Sequence, residues 1–246
     1  LVATRLGATR VAAAIAATMW AMLPRLTECS AWISGRTDML ALGFVLAAFA
    51  LWPWTHGGTE EREGTGRVLL ACGMLLMGLL SKEVAAAGLL SLLVLETREV
   101  FARRVGAGFS RIALLCGTGA VYLALRIVAL GPNQTPSGTS QPLLWKTGRV
   151  FAAAGTYLVM LLTPWRPQAR IGLAWRYEAA QVVLGAVFAA LILAVCVLVW
   201  RGRNRVLTAL CVLGVTALLA VVHVIPLPSN VLASDRFLYF PTAAAA

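Results

Sequence analysis

Between Ala179 and Trp200 no side chain carries a charge, and the next five residues, Arg201-Gly202-Arg203-Asn204-Arg205, carry three arginines. A helix rises about 1.5 Å per residue, so roughly 20 apolar residues cover the roughly 30 Å of a bilayer's hydrocarbon. Basic residues closing such a run mark the cytoplasmic side. Further apolar runs occupy 6–24, 39–54, 68–96, 112–130, 150–164 and 206–225. Hydrophobic residues make up 60% of the chain and charged residues 13%, against roughly 45–50% and 25% in a soluble domain. A soluble fold of this size lacks the interior to hide that much apolar surface. Lipid as solvent removes the difficulty. The expected fold is an all-α polytopic membrane protein, with residues 1–246 forming a single transmembrane domain.

The run 68–96 is too long for one span and is interrupted by Ser81-Lys82-Glu83. Each half holds about 13–14 residues, or roughly 20 Å of helix, which predicts a helical hairpin with Lys82 and Glu83 at its tip. Such a tip, held at or below the membrane surface, must face protein or water. A local ion pair closing a tight turn is the alternative. Two joints are rich in arginine: 97–111, with Arg98, Arg103, Arg104 and Arg111, and 201–205. Both are expected in the cytoplasm, so an even number of crossings separates them. The runs 112–130 and 179–200 already supply two. The segment 150–164 is therefore expected not to cross, and to form an interfacial or re-entrant helix on the outer side. The full expectation is about seven transmembrane helices plus that outer helix over about 150–164.

This topology puts Glu28, Arg36, Asp38, Lys82, Glu83, Arg126, Asp235 and Arg236 at or near the outer face. A mixed basic and acidic cluster there suits a lipid-phosphate substrate. Arginine and lysine hold phosphate and stabilise it as a leaving group, and a carboxylate takes a proton from an incoming hydroxyl. Ion pairs that merely fix loops are the competing account of any one of these residues. The net charge of +11 does not indicate nucleic acid, because the basic residues sit singly between apolar runs rather than on one face with interleaved aromatics. Anionic headgroups are their natural counter-charge. Cys72, Cys116, Cys196 and Cys211 lie inside apolar runs and read as small buried hydrophobes, with Cys29 in a polar connector. No Cys-x-x-Cys pair occurs. His56 and His223 fall on opposite sides, so no metal or other cofactor is expected. The sequon at Asn133 is discounted, because the composition reads as GC-rich and bacterial, which places the chain in a bacterial cytoplasmic membrane.

Three segments resemble a known family. Residues 28–40 (ECSAWISGRTDML), 79–83 (LLSKE) and 235–241 (DRFLYFP) are similar, in order and rough spacing, to motifs of the multi-spanning GT-C glycosyltransferases. The relatives in question are the bacterial kin of the transmembrane-and-TPR O-mannosyltransferases. The resemblance implies transfer of a sugar, often mannose, from a polyprenyl-phosphate carrier to a hydroxyl acceptor outside the cytoplasm. It implies no cofactor beyond that lipid-linked donor. Its catalytic acid belongs to a first outer loop, expected upstream of Leu1, so the chain reads as an internal piece of a longer protein. One departure is Leu23-Pro24, where the family has His-Pro. The implied substrate-binding residues are Arg236, for the carrier phosphate, then Lys82 and Arg36, with Glu28 and Glu83 orienting them and Tyr239 beside Arg236. Implied partners are membrane lipids, the polyprenyl-phosphate sugar and other protein subunits in the membrane, and not nucleic acid. Two other readings use the same scaffold: a non-catalytic membrane subunit of a larger complex, and a lipid-linked-sugar flippase or transporter. The transporter fits less well, because its charges belong near the midplane.

Overall fold

The structure, a computed structural model, describes residues 2–5, 8–23, 35–53, 64–103, 106–131, 143–163, 171–172, 178–202, 205–222, 231–234 and 238–245. Helices dominate. In chain order they are α1 (Val2–Arg5), α2 (Arg10–Ala21), α3 (Arg36–Leu51), α4 (Gly64–Ser81), α5 (Ala86–Arg103), α6 (Gly106–Leu130), α7 (Leu143–Leu162), α8 (Ala179–Arg201), α9 (Arg205–Val221) and α10 (Tyr239–Ala245). Two short strands, β1 (Ile171–Gly172) and β2 (Val231–Ala233), pair antiparallel, with Ile171 opposite Ala233.

Local chemistry sets several boundaries. Thr9 caps α2 by accepting from the Ala12 N–H at 3.2 Å, which satisfies one of the free donors of a first turn. Trp52 is extended (φ −59°, ψ 132°) directly after α3, as a residue preceding proline prefers, and Pro53 follows it. Gly131, at φ +76°, ends α6 in the left-handed region that glycine enters without strain.

Helices α3, α4, α5 and α9 form one core, joined by Leu115 of α6 and by Tyr239 and Phe240 of α10. Gly88 lets α5 meet α3 closely, because a Cβ there would lie 2.5 Å from a Val45 methyl. Across the core Ser91 Oγ and Thr216 Oγ1 share a hydrogen bond of 2.7 Å, and Thr216 also donates to the Ala87 carbonyl at 3.1 Å. Hydroxyl pairs of this kind tie helices together where water is scarce. Helices α7 and α8 pack antiparallel at backbone contact. A Cβ on Gly185 would lie 1.8 Å from the Phe151 carbonyl oxygen, and one on Gly155 would lie 2.1 Å from that of Gln181. A second, smaller core joins Ala153, Ala154, Tyr157 and Met160 of α7 to Val221, Val222, Ala233 and Leu238.

Two of the described helices, over Gly108–Ala129 and Ala179–Arg201, are long and apolar enough to cross a membrane. The other apolar stretches are shorter, Arg10–Ala21, Thr65–Ser81 and Thr208–Leu219 among them. The expected seven spans are thus not present as seven full-length apolar helices among the described residues. Within the run 6–24 helix α2 starts only at Arg10 and ends at Ala21, because Thr9 caps its first turn. The hairpin expectation is also corrected. Helices α4 and α5 have 18 residues each, not 13–14: α4 already starts at Gly64, and Glu96, Thr97 and Arg98 continue α5 through Arg103 instead of opening a loop. Glutamate and arginine are good helix formers, and arginine suits a final turn. The arms also diverge, α4 onto α3 and α5 onto α9, with α6 touching both. The segment expected at 150–164 is the longer helix Leu143–Leu162.

Candidate functional site

Lys82 separates α4 from a 3-10 turn at Glu83–Ala85 and is extended, at φ −162° and ψ 140°. Its N–H still bonds the Gly78 carbonyl at 2.9 Å, and its own carbonyl accepts from the Ala85 N–H at 3.1 Å. The backbone is therefore held on both sides while the side chain leaves the helical track and reaches across to α3. There Nζ lies 2.5 Å from Asp38 Oδ2, a partner 44 residues away in sequence. Asp38 sits in the first turn of α3, where the helix dipole favours a carboxylate. Its side chain is 3% exposed and that of Lys82 18%, so the pair is sealed on the acid side and open on the amine side. An ammonium has three donors. One is directed at Asp38, and Nζ makes no other hydrogen bond among the described residues.

Arg36 and Glu83 border this pair. Both are exposed, and neither makes an ion pair among the described residues. Lys82 pairs with Asp38 rather than with the adjacent Glu83, so the tip is not closed by a local ion pair. Tyr239 is buried, its ring 5.0 Å from that of Trp20 and inclined at 56°, and Trp20 Nε1 donates to Thr242 Oγ1 at 3.2 Å. The side chain of Tyr239 thus packs into the core shared by α3, α4, α5 and α9. Glu28 and Arg236, with Asp235, lie outside the described residues. Arg126 is exposed near the end of α6 and donates to the Tyr122 hydroxyl at 2.7 Å. Asp38, which the sequence placed in the outer polar cluster but not among the substrate-binding residues, is the partner that holds Lys82. Its signal was available: an acid in the first turn of an apolar helix, with a lone lysine interrupting the next apolar run.

The opposite end of the bundle is built differently. Arg98 donates to Thr208 Oγ1 at 2.7 Å and to the carbonyls of Trp200 and Gly202 at 3.2 and 3.3 Å. Its guanidinium also stacks 4.9 Å from the Trp200 ring centre. Glu96 accepts from Trp52 Nε1 at 2.7 Å and faces Arg111 at 3.7 Å. Arg98 thus ties the end of α5 to the α8–α9 joint, so the two arginine joints meet at one end. The described residues contain no group of three or more His, Cys, Asp or Glu placed to hold a metal ion.

No protein-family model, curated protein or solved structure matches the chain.

Proposed function

We propose that the chain is the membrane domain of a glycosyltransferase that moves a sugar, often mannose, from a polyprenyl-phosphate carrier to a hydroxyl acceptor on the non-cytoplasmic side of a bacterial cytoplasmic membrane. The observation that carries this reading is the Asp38–Lys82 contact. It joins the first and second of the three resembling segments, and Tyr239 of the third packs into the same core.

The membrane setting rests on exposure. Leu123, Leu125, Ile127 and Val128 of α6, and Leu191, Leu193 and Leu198 of α8, are exposed. Little of either helix is covered by the rest of the molecule. Contiguous apolar surface of this extent needs lipid or another protein to cover it. The shorter helices lie beside these two and complete the proposed set of spans. With both arginine joints at one end, an even number of crossings separates them, so α7 does not cross. Its Ala153–Met160 stretch packs at the far end of α9, as an outer-side helix would.

In this reading Lys82 Nζ donates to the carrier phosphate at headgroup level. Asp38 fixes its position, and Arg36 adds charge from the rim. Positive charge held there stabilises the phosphate as it leaves the sugar. Lipid and donor are the partners; the residue that deprotonates the acceptor is unassigned. The same contact favours a second reading, a non-catalytic membrane subunit, because a buried carboxylate already neutralises the lysine.

Photo-crosslinking with a radiolabelled, photoreactive polyprenyl-phosphate mannose separates the two. The transferase reading expects labelling of the membrane-embedded chain, competed by unlabelled donor and lost in Lys82→Met. Donor-independent background labelling, equal in wild type and Lys82→Met, contradicts it and leaves the subunit reading.

A further inference from the structure

Cys196 on α8 and Cys211 on α9 place their sulfurs 3.5 Å apart, in van der Waals contact. They were expected to be buried apolar fillers, but both are only half-buried. Among the other described thiols, Cys72 is buried and Cys116 exposed, on α4 and α6. The placement follows from the hairpin. Cys196 is one turn before Trp200 and Cys211 one turn after Thr208, and Arg98 binds both of those residues across the joint. The helix ends are therefore held in register by an arginine that belongs to neither. A surface cavity of about 260 Å³, lined by Cys196, Val197, Trp200 and Arg201, opens beside the first thiol. It is large enough to hold a molecule bigger than water beside Cys196.

We propose that Cys196 and Cys211 form a peroxide-sensitive dithiol that closes to an intrachain disulfide and staples α8 to α9 across the arginine joint. At rest, the reducing cytoplasmic side keeps both as thiols. A small hydroperoxide enters through the cavity, and the Cys196 thiolate attacks its O–O bond. With hydrogen peroxide the products are a sulfenic acid at Cys196 and hydroxide. The Cys211 sulfur then displaces the sulfenic oxygen, which leaves as water. In sum, two thiols lose two electrons and two protons, and one hydrogen peroxide becomes two waters. Closing from 3.5 Å to the roughly 2.0 Å of a disulfide is a side-chain adjustment for sulfurs already in contact. The bridge encloses Arg201, Arg203 and Arg205 in one covalent loop and fixes the joint that Arg98 otherwise holds by non-covalent contacts.

The test uses the whole chain in membranes. After treatment with hydrogen peroxide, free thiols are capped with a maleimide and the protein is digested with trypsin without reductant. Cleavage at Arg201, Arg203 and Arg205 separates the two cysteines unless they are bonded. The expected result is a linked peptide containing Cys196 and Cys211, released by dithiothreitol and missing from Cys196→Ser, in which Cys211 is capped. Capping of both cysteines in the peroxide-treated wild type would overturn the proposal. So would a bridge between two chains, or preferential pairing of either cysteine with Cys72 or Cys116.

Discussion

The two ends of the bundle both combine buried carboxylate with cationic side chains, yet they are assembled on opposite principles. At the arginine end Arg98 and Glu96 are turned inward onto groups of the protein. Arg98 meets two carbonyls, a hydroxyl and an indole face, and Glu96 is shared by Trp52 and Arg111. At the other end, about 21 Å away along α3, the pair of Asp38 and Lys82 is sealed on the acid side only. Arg36 and Glu83 stand exposed around it. The first arrangement is a clasp, in which donors and acceptors are matched to groups of the protein itself. The second presents a fixed positive charge with donors to spare, as an anion site requires.

Substitutions separate the two roles. The largest effect is expected for Lys82→Met. Removing the amine leaves Asp38 buried without its cation, which costs about 2–3 kcal/mol after allowing for the partial exposure of the lysine. A thermal shift assay in detergent reads that loss. Donor photo-labelling per folded molecule falls by about 30-fold, as expected for a lost charge-assisted bond worth about 2 kcal/mol. The double variant Asp38→Asn/Lys82→Met recovers most of the stability and none of the labelling. If it recovers both, the pair is structural and the ends do not differ in kind.

Next in size is Arg98→Met, which keeps the aliphatic stem and removes the hydrogen bonds to the α8–α9 joint. A loss of about 2 kcal/mol is expected, with labelling per folded molecule unchanged. A fall in labelling beyond the fall in folded protein would make the clasp part of the site. Glu96→Gln keeps an acceptor for Trp52 and removes the charge that faces Arg111 at 3.7 Å. Its expected cost is about 1 kcal/mol, read by the same thermal assay. The smallest effect on stability is expected for Arg36→Gln, within about 0.5 kcal/mol of wild type as for most exposed positions. Its effect on labelling is about threefold, and appears most clearly at low salt because the side chain is exposed.

Much of the frame was legible in the sequence. The expected run 179–200 is α8, Ala179–Arg201, because an unbroken apolar stretch closed by arginines admits few other structures. That the arginine joints share one end was readable from charge alone, and the Arg98 contacts bring them together. The helical extension through Glu96 and Arg98 was not readable, because polar residues look like a loop to a hydropathy argument although they are good helix formers. Pairings between distant segments were also hidden. Asp38 and Lys82 meet because α4 packs on α3, and Cys196 and Cys211 because α8 and α9 fold back on each other. Neither contact leaves a local spacing to recognise. Placement of the resembling segments on the outer side depended on parity, and so on α7 not crossing.

Opposite facing of the two ends is the claim on which the rest depends. It is tested most directly by single cysteines at Glu83 and at Arg201, in a chain whose native cysteines are replaced by serine. Both positions are exposed. In intact cells a membrane-impermeant maleimide should label Glu83→Cys and spare Arg201→Cys, which should react only after the membrane is opened. Labelling of both in intact cells, or of Arg201→Cys alone, would contradict the account.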